Sequence, residues 1–238
     1  MKFPSFFKLQ KNNHVLFWNG IEHSCDYKHS QFQKLKIKWG EFLKLAKSPL
    51  VIVENNNSKV YPTEERAVKD GCEVGFMIFL AAKIAVPVKC FEPNRHNEMN
   101  YLAGLFSKEK TEYYYFARAV AQWYRVVKNG KVEEYVFSFL KRDEKVSKWD
   151  NFDFSIDHMR QIHKNLFGNE LDFNDKEFFL KVESPVDESN PLKDVVRASS
   201  VYRDISIIES VKSVWKENDI FMVYGRGHQE AHEKGLYN

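Results

Sequence analysis

Cysteine is scarce in this chain: Cys25, Cys72 and Cys90 are the three among 238 residues. An odd number with no CxxC pair gives no disulfide framework and no thiolate zinc site. Free thiols in a reducing compartment are therefore expected, and with them a cytoplasmic location. Long apolar runs are missing too. The longest, Val74 to Val88, contains Lys83 and is too short to span a bilayer. Lys2, Lys8 and Lys11 interrupt the apolar residues before Trp18, so no signal peptide is expected. An excess of either charge is nearly absent as well: 36 Lys and Arg against 33 Asp and Glu leave a net +3. With no Gly-rich phosphate loop, zinc-finger spacing or RNA-binding aromatic motif, nucleic acid is not an expected partner. No GxSxG elbow marks a serine hydrolase. No HExxH motif is present either, because Gln229 follows His228.

What the chain does have is apolar material. Hydrophobic residues make up 43% of it and 20 are Phe, enough for a sizeable core and against disorder. His14 to Trp18, Leu50 to Val53, Val86 to Phe91 and Ile220 to Tyr224 are strand candidates. Leu50 to Val53 is a continuous apolar run suited to a buried parallel strand, whereas Pro87 suits only a strand start or an edge. Between them, Phe32, Leu35, Trp39, Phe42 and Ala46 recur at helical spacing. Cys72 to Ala85 and Asn97 to Lys128 also predict helix. So does the segment from Asp194, where Val201, Ile205, Ile208, Val211 and Trp215 form one stripe. Alternating strands and helices predict an α/β fold over residues 1–238, with a mainly parallel central sheet flanked by helices. Residues 130–191 read as a mixed α/β insertion or cap, with Val132 to Phe137 as a strand and Ile156 to Leu166 as a helix.

Two runs share a pattern that points to chemistry. His14 to Trp18 leads to Gly20-Ile21-Glu22-His23, and Ile220 to Tyr224 leads to Gly225-Arg226-Gly227-His228. A parallel sheet gathers the carboxyl ends of its strands at one rim, where ligands bind. Glycine there permits a sharp turn, and histidine titrates near neutral pH. Glu54 and Glu92 follow the other two strands, so His23, Glu54, Glu92 and His228 fall along the same rim. Two imidazoles and two carboxylates suit Zn, Mn, Co or Fe. They equally suit metal-free work, in which one histidine takes a proton from water while Glu54 holds the ring. Arg203 lies off the Val201/Ile205 stripe, and an arginine covered there requires an anionic partner.

In order and residues the chain resembles the TraB/TIKI-like superfamily, which includes TraB/GumN-like proteins, TIKI-type metalloproteases, erythromycin esterases and ChaN-type haem-binding proteins. The resemblance rests on Gly20 to His23, Val51 to Glu54, Tyr202-Arg203-Asp204, Val223 to His228, and Glu233 to Leu236. It hardly touches residues 130–191. The resemblance implies a compact α/β domain with both GxxH motifs in one site, hydrolysing an ester or amide of a small-molecule or peptide substrate. His23 and His228 would activate water or bind a divalent metal, Glu54 would assist, and Arg203 would hold an anionic group or oxyanion. The alternative the resemblance carries is a ChaN-like haem, iron or small-ligand binding protein without catalysis.

Overall fold

The computed structural model describes residues 5–55, 59–127 and 129–237. They form two compact units, one of residues 1–92 with 204–238 and one of residues 93–203.

The first unit is an α/β layer structure. Its strands are β1 (Ser5–Lys11), β2 (His14–Ile21), β3 (Pro49–Val53), β4 (Val88–Cys90) and β5 (Asp219–Gly225), in the order β1-β2-β5-β3-β4. β1 and β2 form an antiparallel hairpin, and every other pairing is parallel. The hairpin turns at Asn12 and Asn13, both at positive φ (50° and 67°). Two such residues give the twist that joins antiparallel strands tightly, and asparagine tolerates it. β5 carries a central run, Ile220 to Tyr224, with every residue buried.

Alternation along the strands divides the core into two layers. Phe17, Val51, Val53, Phe221 and Val223 face α1 (Gln31–Leu43) and α2 (Glu64–Ala82), where they meet Leu35, Trp39, Phe42 and Phe76. Leu16, Trp18, Ile52, Ile220, Met222 and Tyr224 share the opposite cluster with Ile207, Val211 and Trp215 of α8 (Lys193–Trp215) and Leu236 of α9 (Gln229–Tyr237). Within α8 the buried side differs from the expected stripe. Val201 and Ile205 are more than half exposed, whereas Ile207, Val211 and Trp215 are buried.

Asp219 closes the rim opposite the histidines. It is 2% exposed. Its Oδ1 accepts the Val15 N–H at 2.8 Å, and its Oδ2 accepts those of Lys47 at 2.7 Å and Ser48 at 3.0 Å. The starts of β2, β3 and β5 thus share one carboxylate.

The cysteines depart from expectation. Cys25, in the loop after β2, and Cys72, inside α2, form a disulfide across a separation of 47 residues. Two cysteines that far apart in sequence meet because the loop folds back onto the helix, which no local spacing announces. Cys72 breaks α2 with φ 50° and ψ −142°. Gly75 then lets the helix halves approach, since a Cβ there would lie 2.4 Å from the Ala67 carbonyl oxygen.

Among its described residues the second unit is helical: α3 (Arg95–Leu105), α4 (Lys108–Gln122), a π turn at Trp123–Val127, α5 (Val132–Ser147), α6 (Ile156–Phe167), α7 (Lys176–Val182) and the first part of α8. The strand expected at Val132 to Phe137 is therefore helix, so residues 130–191 are not mixed α/β. Val132, Val136 and Leu140 are buried at a spacing of four, and that helical period overrides their β-branched and aromatic character. The core of this unit holds Tyr113, Phe116, Phe154 and Phe179.

A buried acid sits in that core. Glu112 is fully buried and neither carboxylate oxygen has a hydrogen-bond partner. Burial, then the Asp143 charge, pushes its pKa well above the usual carboxylate range. The unfolded chain ionises near the ordinary value of 4.5, so it binds fewer protons above that pH and stability falls as pH rises. Glu112→Met is expected to raise stability at pH 7 by about 1–3 kcal/mol, the cost of an unsatisfied buried polar group. Urea midpoints of both proteins at pH 4.5 and 7 would show the gain growing with pH. A variant weaker at pH 7 would mean that the carboxyl supports the core.

Candidate functional site

β2, β3 and β5 run parallel, so their carboxyl ends deliver His23, Glu54 and His228 to one rim. The glycines of the two motifs serve less as turns than as gaps. Gly20 lies within β2, and a Cβ there would sit 2.3 Å from the Ser5 Oγ and 2.6 Å from the Trp18 ring. At Gly225 a Cβ would lie 3.0 Å from His23 Nε2 and 3.1 Å from Glu54 Oε2. The absent side chain leaves room for both.

Each imidazole is anchored at Nδ1 by a carboxylate. His23 Nδ1 lies 2.6 Å from Glu73 Oε1, and His228 Nδ1 lies 2.6 Å from Asp204 Oδ1. Their Nε2 atoms turn to the two oxygens of Glu54, His23 to Oε2 and His228 to Oε1, each at 3.7 Å. Glu54 is fixed between them by the Gly225 N–H, which donates to Oε2 at 2.7 Å. The His23 side chain is 63% exposed, whereas those of His228 and Glu54 are mostly covered, so the site opens on the His23 side.

A second layer supports His228. The buried His232, one turn along α9, places Nε2 3.1 Å from the same Asp204 oxygen. Its Nδ1 accepts the Trp18 indole N–H at 3.2 Å. Trp18, His232, Asp204 and His228 thus stand in line from the sheet core to the rim, with His232 Nε2 close to Asp204 but outside hydrogen-bond geometry.

The electrostatics follow from these contacts. The Glu73 hydrogen bond raises His23 above its ordinary value despite partial burial, with Glu54 adding to the effect. Burial opposes a charge on His228, but Asp204 and Glu54 outweigh it and lift the ring to about 9. Glu54 would be raised by burial, yet His228, His23 and the Gly225 N–H bring it down to about 2. Burial likewise opposes ionisation of Asp204, and its two histidines lower it to about 2. At neutral pH two carboxylates alternate with imidazoles of raised proton affinity.

Asp204, His228 and His232 also stand close enough to share one ion, their ligand atoms all within 4.8 Å. The Trp18 hydrogen bond to His232 Nδ1 works against such an ion. With Nδ1 accepting from Trp18, a neutral His232 carries its proton on Nε2, the atom an ion would need. Of the expected ligands His23, Glu54, Glu92 and His228, that group contains His228 alone. Glu92 lies two residues past β4 and is half-buried. Arg203 belongs to the second unit, where Arg118 is a charged neighbour.

Glu73 did not stand out in the sequence, and Asp204 was visible beside Arg203 without a role. Glu73 directly precedes the apolar stretch from Val74 to Ala82, and a buried carboxylate there must have a partner. His232, four residues after His228, had the spacing of a shared helix face. Comparison of the chain with family models, with curated proteins and with solved structures finds no match.

Proposed function

We propose that this chain hydrolyses an ester or amide bond of a small-molecule or peptide substrate, with His23, Glu54 and His228 activating water. One observation carries the reading: two imidazoles, each held at Nδ1 by its own carboxylate, present Nε2 to opposite oxygens of Glu54. A carboxylate at Nδ1 fixes the tautomer and stabilises the imidazolium that forms when Nε2 takes a proton. His23, the more exposed ring, is the base that receives the proton of water at Nε2. His228, held charged between Asp204 and Glu54, donates toward the developing oxyanion or the leaving group. Glu54 keeps both rings turned inward and balances the charge passed between them.

Imidazoles anchored at Nδ1 are also the usual form of ligating histidine. The Nε2 atoms of His23 and His228, with Glu54, are the donors that a divalent ion such as Mn, Zn, Co or Fe would use, and it would lower the pKa of water there.

The test is a hydrolysis screen with nitrophenyl esters and peptide libraries, in chelator and with each ion added. Wild type is compared with the His23→Ala/His228→Ala double variant. Wild type should exceed the variant by at least about 10²-fold, the lower end of acid–base catalysis, with matched circular dichroism. Elemental analysis of both proteins decides between direct and ion-assisted chemistry. Absence of turnover on every substrate, together with a Soret band on adding haem, would replace this reading with ligand binding.

A further inference from the structure

We propose that the Cys25–Cys72 disulfide is a redox-responsive site that holds His23 in place, the oxidised chain being the active form. This rests on the reading that His23 is a working part of the site. Cys25 lies two residues after His23, and Cys72 immediately precedes Glu73. The bond therefore clamps both partners of the 2.6 Å His23–Glu73 contact from directly alongside.

Among the described residues, few other contacts hold this stretch to α2. Gln31 fixes Glu22, accepting its N–H at 3.1 Å and donating to its carbonyl at 2.8 Å. Beyond Glu22 the hydrogen bonds turn back into the loop, from Asp26 N to Ser24 Oγ, Lys28 N to Asp26 Oδ1, and His29 N to the Asp26 carbonyl. Tyr27 reaches Glu64 at a long 3.4 Å. Burial does not hold His23, whose side chain is 63% exposed. The helix partner is firmer: Glu73 is buried, and Gly75 packs closely against the Ala67 carbonyl across the kink. Breaking the bond thus frees the loop rather than the helix. Cys25 is exposed and Cys72 half-buried, so a thiol can reach the bond.

The reductant is a small thiol or dithiol. Its thiolate attacks the Cys25 sulfur, the Cys25–Cys72 bond breaks, and Cys72 leaves as a thiolate that takes a proton. A second thiol then displaces Cys25 from the mixed disulfide. Two electrons and two protons pass to the chain, and the reductant leaves as its disulfide.

Two measurements, neither needing turnover, judge the clamp. In a Cys90→Ser background treated with oxidised glutathione, the denatured chain should show no free thiol before dithiothreitol and two after it. Two thiols before reduction would overturn the proposal. Upon reduction of the folded chain, amide exchange at residues 23–28 should accelerate at least tenfold. The His23 ring signals should move to those of Glu73→Gln, while the strands keep their protection. An unchanged loop and ring would also overturn it. Where the hydrolysis screen has supplied a substrate, kcat/KM should fall at least tenfold on reduction and recover with oxidised glutathione. Cys25→Ser/Cys72→Ser should stay at the reduced level in either buffer. A loosened loop with unchanged kcat/KM would reject control of activity while leaving the clamp. Loss of hydrolysis in every state would count against the hydrolase reading alone.

Discussion

Asp219→Ala should destabilise the first unit by about 3–5 kcal/mol at pH 7. The carboxylate accepts three backbone N–H groups from the starts of β2 and β3, and hydrogen bonds to a charged group contribute about 1.5–3 kcal/mol each without adding fully. Removing the acceptor leaves the Val15 N–H buried and unpaired. The loss is a large share of a typical total of about 5–15 kcal/mol. The effect should depend on pH in a defined direction. Burial would raise the Asp219 pKa, but the N–H groups of Val15, Ser48 and Lys47 outweigh it and lower the pKa below its ordinary 3.8. Because the folded value is depressed, the stabilisation is complete above 3.8 and is lost as pH falls through the folded value. Urea midpoints at pH 7 and pH 3 should show the gap between wild type and variant shrinking at acid pH. A constant gap would mean that packing rather than the carboxylate carries the effect.

Glu54→Gln should lower kcat/KM by about 10²–10⁴, the range for a group that serves proton transfer, while leaving the fold intact. The amide oxygen can still accept the Gly225 N–H that now donates to Oε2, and the side chain keeps its volume. What disappears is the negative charge between the two Nε2 atoms. His228 loses one of the two carboxylates that lift it to about 9, so its titration, followed by NMR, should move to lower pH. This second readout separates an electrostatic role from a steric one. If the variant retained both full turnover and the His228 titration of wild type, Glu54 would have no part in the site.

The central strands were legible because burial on both faces leaves an unbroken apolar run, as in Leu50 to Val53 and Ile220 to Tyr224. The rim followed from them, since parallel pairing places whatever comes next at one end. The edge was harder to read. β1 alternates Phe7 and Leu9 with Lys8 and Gln10, a pattern too short to separate from a charged terminus, and its turn uses Asn-Asn without glycine. α5 hid behind β-forming residues, and α8 has residues of similar apolarity on several sides, so periodicity chose Val201 and Ile205 where packing chose Ile207. The anchors of the site were the least visible. Glu73 meets His23 across 50 residues and Asp204 meets His228 across 24. Pairing at such distances is decided by the tertiary fold, and the same holds for Cys25 with Cys72.

The place of β5 in the sheet bears on how the chain is made. Between β4, ending at Cys90, and β5, beginning at Asp219, the ribosome must produce the whole second unit. At about 5–20 residues per second that interval lasts on the order of ten seconds. Residues 93–203 can close their own core during it. β2 and β3 cannot pair with each other in the native order and wait with facing edges open until the strand between them emerges. The nascent chain therefore carries a strand-wide vacancy flanked by Phe17 and Val51. It is a place for a chaperone to bind or for a neighbouring nascent chain to pair wrongly, and β5 is the strand that removes it.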